Sequence, residues 1–195
     1  MGSSVFWHDE GEALKKRAFF LDRDGVLNHS IAHRGRQRPP NKPDELRFID
    51  GVGPAIRRLN RLGFYVFVVT NQGGVGLGYM SLSDLDQIHA KLVDHVQRSG
   101  GVIHQIKVCT HKPKADCECR KPKPGMLLEL AAEYDLDLSE SYMVGDRSID
   151  IEAGKRAGTK TIFIGSEVEA PPDVDLVSPS LAQAVEVLFG FEKQS

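Results

Sequence analysis

No stretch of the 195 residues approaches the roughly 20 consecutive apolar positions that a membrane span requires. Charge of one sign is missing too: 25 Lys and Arg stand against 27 Asp and Glu, a formal charge of -2. That balance excludes long-range attraction to nucleic acid or an anionic membrane and leaves anion binding to local groups. Cysteine is scarce and bunched. All three, Cys109, Cys117 and Cys119, fall in one short window, which argues against a spread disulfide framework and suits a metal clip in a reducing compartment, with the cytoplasm as the expected location. Residues 1–16 carry only a short apolar cluster around Phe6 and Trp7, lacking a signal-peptide core, and read as an N-terminal extension. Repeats and low-complexity tracts are absent.

What is present is enough for one core. With 41% apolar and 27% charged residues, residues 17–195 are expected to form a single domain, and a monomer is the expected state. Arg17–Leu21 is short and apolar, then gives way to charge and Gly25, as a buried parallel strand does when it ends in an active loop. The pattern predicts further strands at Phe64–Val69, Gln105–Val108, Ser141–Val144 and Thr161–Ile164. Helices are predicted from Pro54 to Gly63, from Ser81 to the Gly100-Gly101 pair, from Pro124 to Tyr134, from Asp150 to Ala157 and from Leu181 to Phe189. This alternation implies an α/β fold: a Rossmann-like parallel sheet covered by helices on both faces. Ligands in such sheets bind beyond the carboxyl ends of the strands.

The residues just past those strands carry chemistry. Asp22, Arg23, Asp24 and Gly25 follow the first, Thr70 and Asn71 the second, Arg120 and Lys121 the loop after the third, and Gly145, Asp146 and Asp150 the fourth. Carboxylates at two strand ends, a hydroxyl at another and a nearby lysine are the parts phosphoryl transfer needs. Mg2+ takes oxygen ligands, usually one or two carboxylates with water and substrate phosphate, and Asp22 and Asp146 can supply them. In the loop after the third strand, Cys109, His111, Cys117 and Cys119 amount to three thiolates and one imidazole. They are a full tetrahedral set with no place for water, as in structural Zn2+ sites; free cysteines or one strained disulfide is the competing reading. Cys119 directly precedes Arg120 and Lys121, so a bound ion would hold those cations over the site.

The segments FFLDRDGV (Phe19–Val26), VVTNQ (Val68–Gln72), RKPKPGM (Arg120–Met126) and VGDRSID (Val144–Asp150) together resemble the four motifs of the haloacid dehalogenase superfamily, in order and spacing, over nearly the whole chain from Arg17 onward. The resemblance implies an aspartyl-phosphate mechanism: Asp22 as nucleophile, Asp24 as general acid and then base, Thr70 bonding the phosphoryl group, and Lys121 neutralising charge. It implies Mg2+ held by Asp22, the main-chain carbonyl of Asp24, and Asp146. Asp150 orients the lysine or a metal-bound water, or caps the next helix; these readings stand side by side.

The spacings, 48 residues from Asp22 to Thr70 and 51 from Thr70 to Lys121, leave no room for a large cap domain, so a capless fold with specificity in short loops is expected. Such an arrangement, cysteine loop included, resembles the family of heptose bisphosphate and histidinol-phosphate phosphatases. The first activity, on a phosphorylated sugar in lipopolysaccharide precursor synthesis, is the expected one. The resemblance implies substrate contacts from Ser30, Ile31, Ala32, His33, Thr70, Asn71, Gln72, Gly73, Arg120, Lys121 and Arg147. Arg147 and Gly73 depart from the lysine and the small hydroxylic residue common there. Arg34, Arg36 and Arg38 could hold a second phosphate or form a solvated basic loop. A nucleic-acid 3' end phosphatase lacks a basic aromatic stripe here, and a non-catalytic receiver module would need an acceptor aspartate where the cysteines stand.

Overall fold

The computed structural model describes residues 15–33 and 35–190. The N-terminal extension lies outside them up to residue 14, as does Arg34. Strand β1 (Ala18–Leu21) is buried along its whole length and shows why an unbroken apolar run makes a central strand. Phe19 and Leu21 point into one core, whereas Ala18 and Phe20 point into another on the opposite face. Beside it run β4 (Tyr65–Asn71), β5 (Gln105–Cys109), β6 (Tyr142–Gly145), β7 (Lys160–Ile164) and β8 (Leu176–Ser178). All pair in parallel, in the order β5-β4-β1-β6-β7-β8. The chain therefore leaves β1 to one side and later returns to the other, which makes the carboxyl end of β1 the topological switch point.

Helices α1 (Val52–Arg61), α3 (Leu82–Arg98) and α6 (Leu181–Phe189) cover the Phe19 face. On the opposite face lie α4 (Gly125–Tyr134) and α5 (Ser148–Ala157). The Ser81 hydroxyl accepts from the Asp84 N–H at 3.0 Å, and the Asp84 carboxylate accepts in return from the Ser81 N–H, a reciprocal cap that starts α3 where the sequence places it. Two helices start earlier than their sequence signals. α1 begins at Val52, so Pro54 falls within the first turn, where its missing N–H costs nothing. α5 begins at Ser148, because the Asp150 carboxylate accepts from the Arg147 N–H at 3.1 Å and closes the first turn.

Four short elements have no sequence prediction. An antiparallel hairpin of β2 (Ile31–His33) and β3 (Arg36–Arg38) follows the first loop, α2 (Gly73–Gly76) is one turn inside the glycine loop, and β8 forms the sheet edge. Three or four residues are too few to show a period. No helix among the described residues is long and apolar enough to cross a membrane.

Candidate active site

The strand-end residues converge. Asp22 follows β1, Thr70 lies at the end of β4, Asp146 follows β6, and Lys121 arrives from the loop after β5. With Ser30, Asn71 and Arg147 they line an open cleft of about 700 Å³. Lys121 is almost fully buried, and its Nζ donates to Asp22 Oδ1 at 2.7 Å and to the Val69 carbonyl at 2.7 Å. Asp150 Oδ1 lies 2.7 Å from the same ammonium, a second ion pair on that nitrogen. Its other oxygen holds the α5 cap, so Asp150 meets the lysine and caps the helix at once.

Carboxylate oxygens of Asp22, Asp146 and Asp150 lie within 4.8 Å of one another. Lys121 pairs with the buried Asp22 and Asp150 and leaves the half-buried Asp146 without an ion pair to it. Burial, and then the neighbouring Asp150, push the Asp146 carboxyl up to about 6. Asp22 rises to about 7, first from burial, with the Lys121 charge opposing and Asp150 and Asp24 adding. Burial works against the Lys121 ammonium, but Asp150 and Asp22 outweigh it and hold its pKa above the usual lysine range. Asp146 Oδ1 is buried with no hydrogen-bond partner. Gly25, at φ +90°, makes space for that group: a Cβ there would come within 2.0 Å of Asp146 Oδ2. An unpartnered oxygen in a nest short of positive charge fits a hard divalent cation.

Asp24 is gripped from behind. Arg23 reaches its carboxylate at 3.0 to 3.2 Å, Asn28 donates to Oδ1 at 2.9 Å, and Gln72 donates to Oδ2 at 2.7 Å. Gln72 also donates to Thr70 Oγ1 at 2.8 Å, occupying a lone pair and leaving the hydroxyl proton for a ligand oxygen. Asn71 clasps the Lys121 backbone with both ends of its amide, at 3.0 and 3.1 Å.

The expected substrate contacts therefore divide. Ser30, Thr70, Asn71, Lys121 and Arg147 line the cleft, together with His29, Gln37 and Pro39. Ile31, Ala32 and His33 form β2 beyond its wall, and Ala32 and His33 face solvent. Gln72 is fully buried against Asp24 and Thr70. Gly73 and Arg120 face the cysteine loop: a Cβ on Gly73 would lie 3.1 Å from the His111 carbonyl, to which Arg120 also donates at 3.3 Å. Arg38 is occupied by Glu45, which accepts at 2.5 and 2.9 Å and is held down to about 2, chiefly by that bond.

The cysteine loop closes on itself. Cys109 Sγ lies 3.7 Å from Cys117 Sγ and 3.6 Å from His111 Nδ1, and Cys119 Sγ lies 3.3 Å from His111 Nδ1. A disulfide would need sulfurs about 2.05 Å apart. A tetrahedral ion with ligands at about 2.3 Å places them about 3.8 Å apart. Burial and the neighbouring thiols push Cys119 up to about 12, so an entering ion must displace protons. The loop docks on the glycine loop: the Gly76 N–H donates to the Thr110 carbonyl at 3.0 Å, and a Cβ on Gly76 would come within 2.7 Å of that oxygen.

Sequence reasoning gives no role toward Asp24 to Arg23, Asn28 or His89, whose Nε2 lies 3.3 Å from Arg23 Nη1. A charged residue between two aspartates at a strand end is a signal for Arg23; nothing in the sequence joins His89 to it.

Comparison with known proteins agrees with the geometry. Residues 118–187 match the HAD-hydrolase-like family model. The D-glycero-beta-D-manno-heptose-1,7-bisphosphate 7-phosphatase of Rhodopseudomonas palustris is 38% identical over 80% of this chain and 88% of its own. The enzyme of the same name from Haemophilus ducreyi is 35% identical over 88% and 98%. A crystal structure of D,D-heptose 1,7-bisphosphate phosphatase from B. bronchiseptica, complexed with magnesium and phosphate, superposes with a TM-score of 0.79 at 33% identity, covering 88% of this chain and 97% of that one. At these identities and lengths, the chain belongs to the D-glycero-beta-D-manno-heptose-1,7-bisphosphate 7-phosphatase family of haloacid dehalogenase-like hydrolases.

Proposed function

We propose that this protein is a magnesium-dependent phosphatase that removes the 7-phosphate of D-glycero-β-D-manno-heptose 1,7-bisphosphate through a phosphoryl group carried on Asp22. One observation bears most of the weight: three carboxylates crowd together at the switch point, Lys121 pairs with only Asp22 and Asp150, and Asp146 Oδ1 is unpartnered. Asp22, the Asp24 carbonyl and Asp146 would hold the magnesium, which supplies positive charge beside the phosphoryl oxygens.

In the first step an Asp22 oxygen bonds to phosphorus while the bond from phosphorus to the sugar oxygen breaks, and Asp24 gives that oxygen its proton. In the second, Asp24 takes a proton from water, whose oxygen displaces Asp22 and releases phosphate. Lys121 would favour the ionised form of Asp22 and hold its Oδ1. Thr70 offers its free hydroxyl proton to the phosphoryl group. Ser30 and Arg147, which line the cleft, would meet the sugar and its far phosphate. Asn71 acts by fixing Lys121. Zinc would occupy Cys109, His111, Cys117 and Cys119 and stiffen the loop that delivers Lys121. Thiolate ligands of this kind suit a reducing cytoplasm.

Histidinol phosphate is the competing substrate. Steady-state kcat/KM for the heptose bisphosphate should exceed that for histidinol phosphate, and a large preference in the other direction rejects the substrate. Retention of magnesium-dependent turnover in Asp22→Asn rejects the covalent route.

A further inference from the structure

We infer that Arg23 and His89 are positioning residues for Asp24, a relay that fixes its carboxylate in the orientation from which it protonates the leaving oxygen. This rests on the reading of Asp24 as the general acid. Arg23 is the largest fully buried side chain of the described residues, and a guanidinium out of water must find partners for its donors. Nε and Nη2 spend theirs on Asp24, at 3.2, 3.0 and 3.1 Å. Nη1 points away from the cleft, to His89 Nε2 at 3.3 Å. His89 sits on α3, 66 positions along the chain, and burial followed by the Arg23 charge pushes its pKa down to about 4 against the pull of Asp24. Its ring is therefore neutral near pH 7, and Nε2 keeps the lone pair that Nη1 needs.

The carboxylate is held on its remaining sides by Asn28 and Gln72. Arg23 supplies a planar fork that a lysine cannot copy, and His89 stops the fork from rotating. General acid catalysis requires the two heavy atoms to meet at about 2.6 to 3.2 Å, and an error of about 1 Å costs on the order of 100-fold. The proton moves as the phosphorus–oxygen bond breaks: the departing sugar oxygen takes it from Asp24 while Asp22 gains the phosphoryl group. A phenolate leaves without that proton, whereas a sugar alkoxide does not.

Leaving-group dependence therefore separates positioning from general damage. With the magnesium-loaded full chain, kcat/KM is measured on p-nitrophenyl phosphate and on the heptose bisphosphate, or on whichever alkyl phosphate the enzyme turns over fastest. Arg23→Lys and His89→Leu should lower the alkyl value by about 10- to 100-fold and the aryl value by less than about threefold. His89→Gln retains an acceptor for Nη1 and should recover most of the loss. Equal losses on both esters, or no loss, in variants that melt cooperatively overturn the relay. If Arg23→Lys does not fold, the His89→Leu and His89→Gln pair decides between the same two outcomes. Turnover retained in Asp22→Asn would instead sink the phosphatase mechanism, while equal losses beside an inactive Asp22→Asn sink only the relay.

Discussion

The carboxylate nest around Asp22 and the thiol cluster of the Cys109–Cys119 loop stand at the same end of the sheet, each a set of metal-ligating side chains, and they are built oppositely. The nest offers hard oxygens in an open cleft, with Asp146 Oδ1 unpartnered and Lys121 filling only part of the charge deficit. The loop offers three soft sulfurs and one imidazole, which complete a tetrahedron among themselves. An incomplete shell leaves room for a substrate oxygen, and a complete one leaves room for none. A cluster of metal-ligating side chains alone thus does not mark a reaction centre; a ligand set that the protein's own side chains leave incomplete does.

Removing a member from each region tests that contrast. Asp22→Asn should abolish turnover by about 10⁴-fold or more, the scale of losing a nucleophile, without lowering the melting temperature, because it removes a buried like-charge neighbour of Asp150. Kinetics and a thermal melt on one preparation check this, and a melting point that falls with activity would make the nest structural. Cys117→Ser should do the reverse. Bound zinc and stability should drop together, by about 3 kcal/mol or about 10 °C, read by metal analysis and calorimetry; undiminished metal content contradicts the cluster.

Asn71 joins the two regions through the Lys121 backbone, so Asn71→Ala should cost about 10- to 100-fold in kcat with little change in bound zinc. A zinc loss as large as that of Cys117→Ser would erase the distinction between the regions. The Glu45–Arg38 pair lies outside both regions and gives the smallest effect. Glu45 is depressed to about 2 when folded, below its ordinary 4.5, so its contribution is present above that value and vanishes as pH falls through about 2. Glu45→Gln should lower stability by less than about 1 kcal/mol at pH 7, and urea midpoints for the two proteins should converge below pH 2.

Much of this was legible in the chain itself, and the reason is local. A buried parallel strand must be apolar on both faces, so β1, β4, β6 and β7 stand out as runs, and the residues just past each run must lie at the sheet's carboxyl edge. Asp22, Thr70 and Asp146 could be placed together on that ground, and Lys121 and the four thiol-loop ligands by type and spacing. The one-turn α2 and the hairpin carrying Arg38 left no period to detect.

Residue type and spacing were enough to name the groups that stand past the strand ends and the four residues that can take a tetrahedral ion, since strand polarity and ligand chemistry are local properties. What each side chain is free to do came from the packing: Gln72 and Asn71 hold Asp24 and Lys121, Arg38 is engaged by Glu45, and His89 arrives from 66 residues away to meet Arg23. The physical reason is that a polar group's availability depends on whichever neighbours reach it first in the packed state, and those neighbours are not close in the chain.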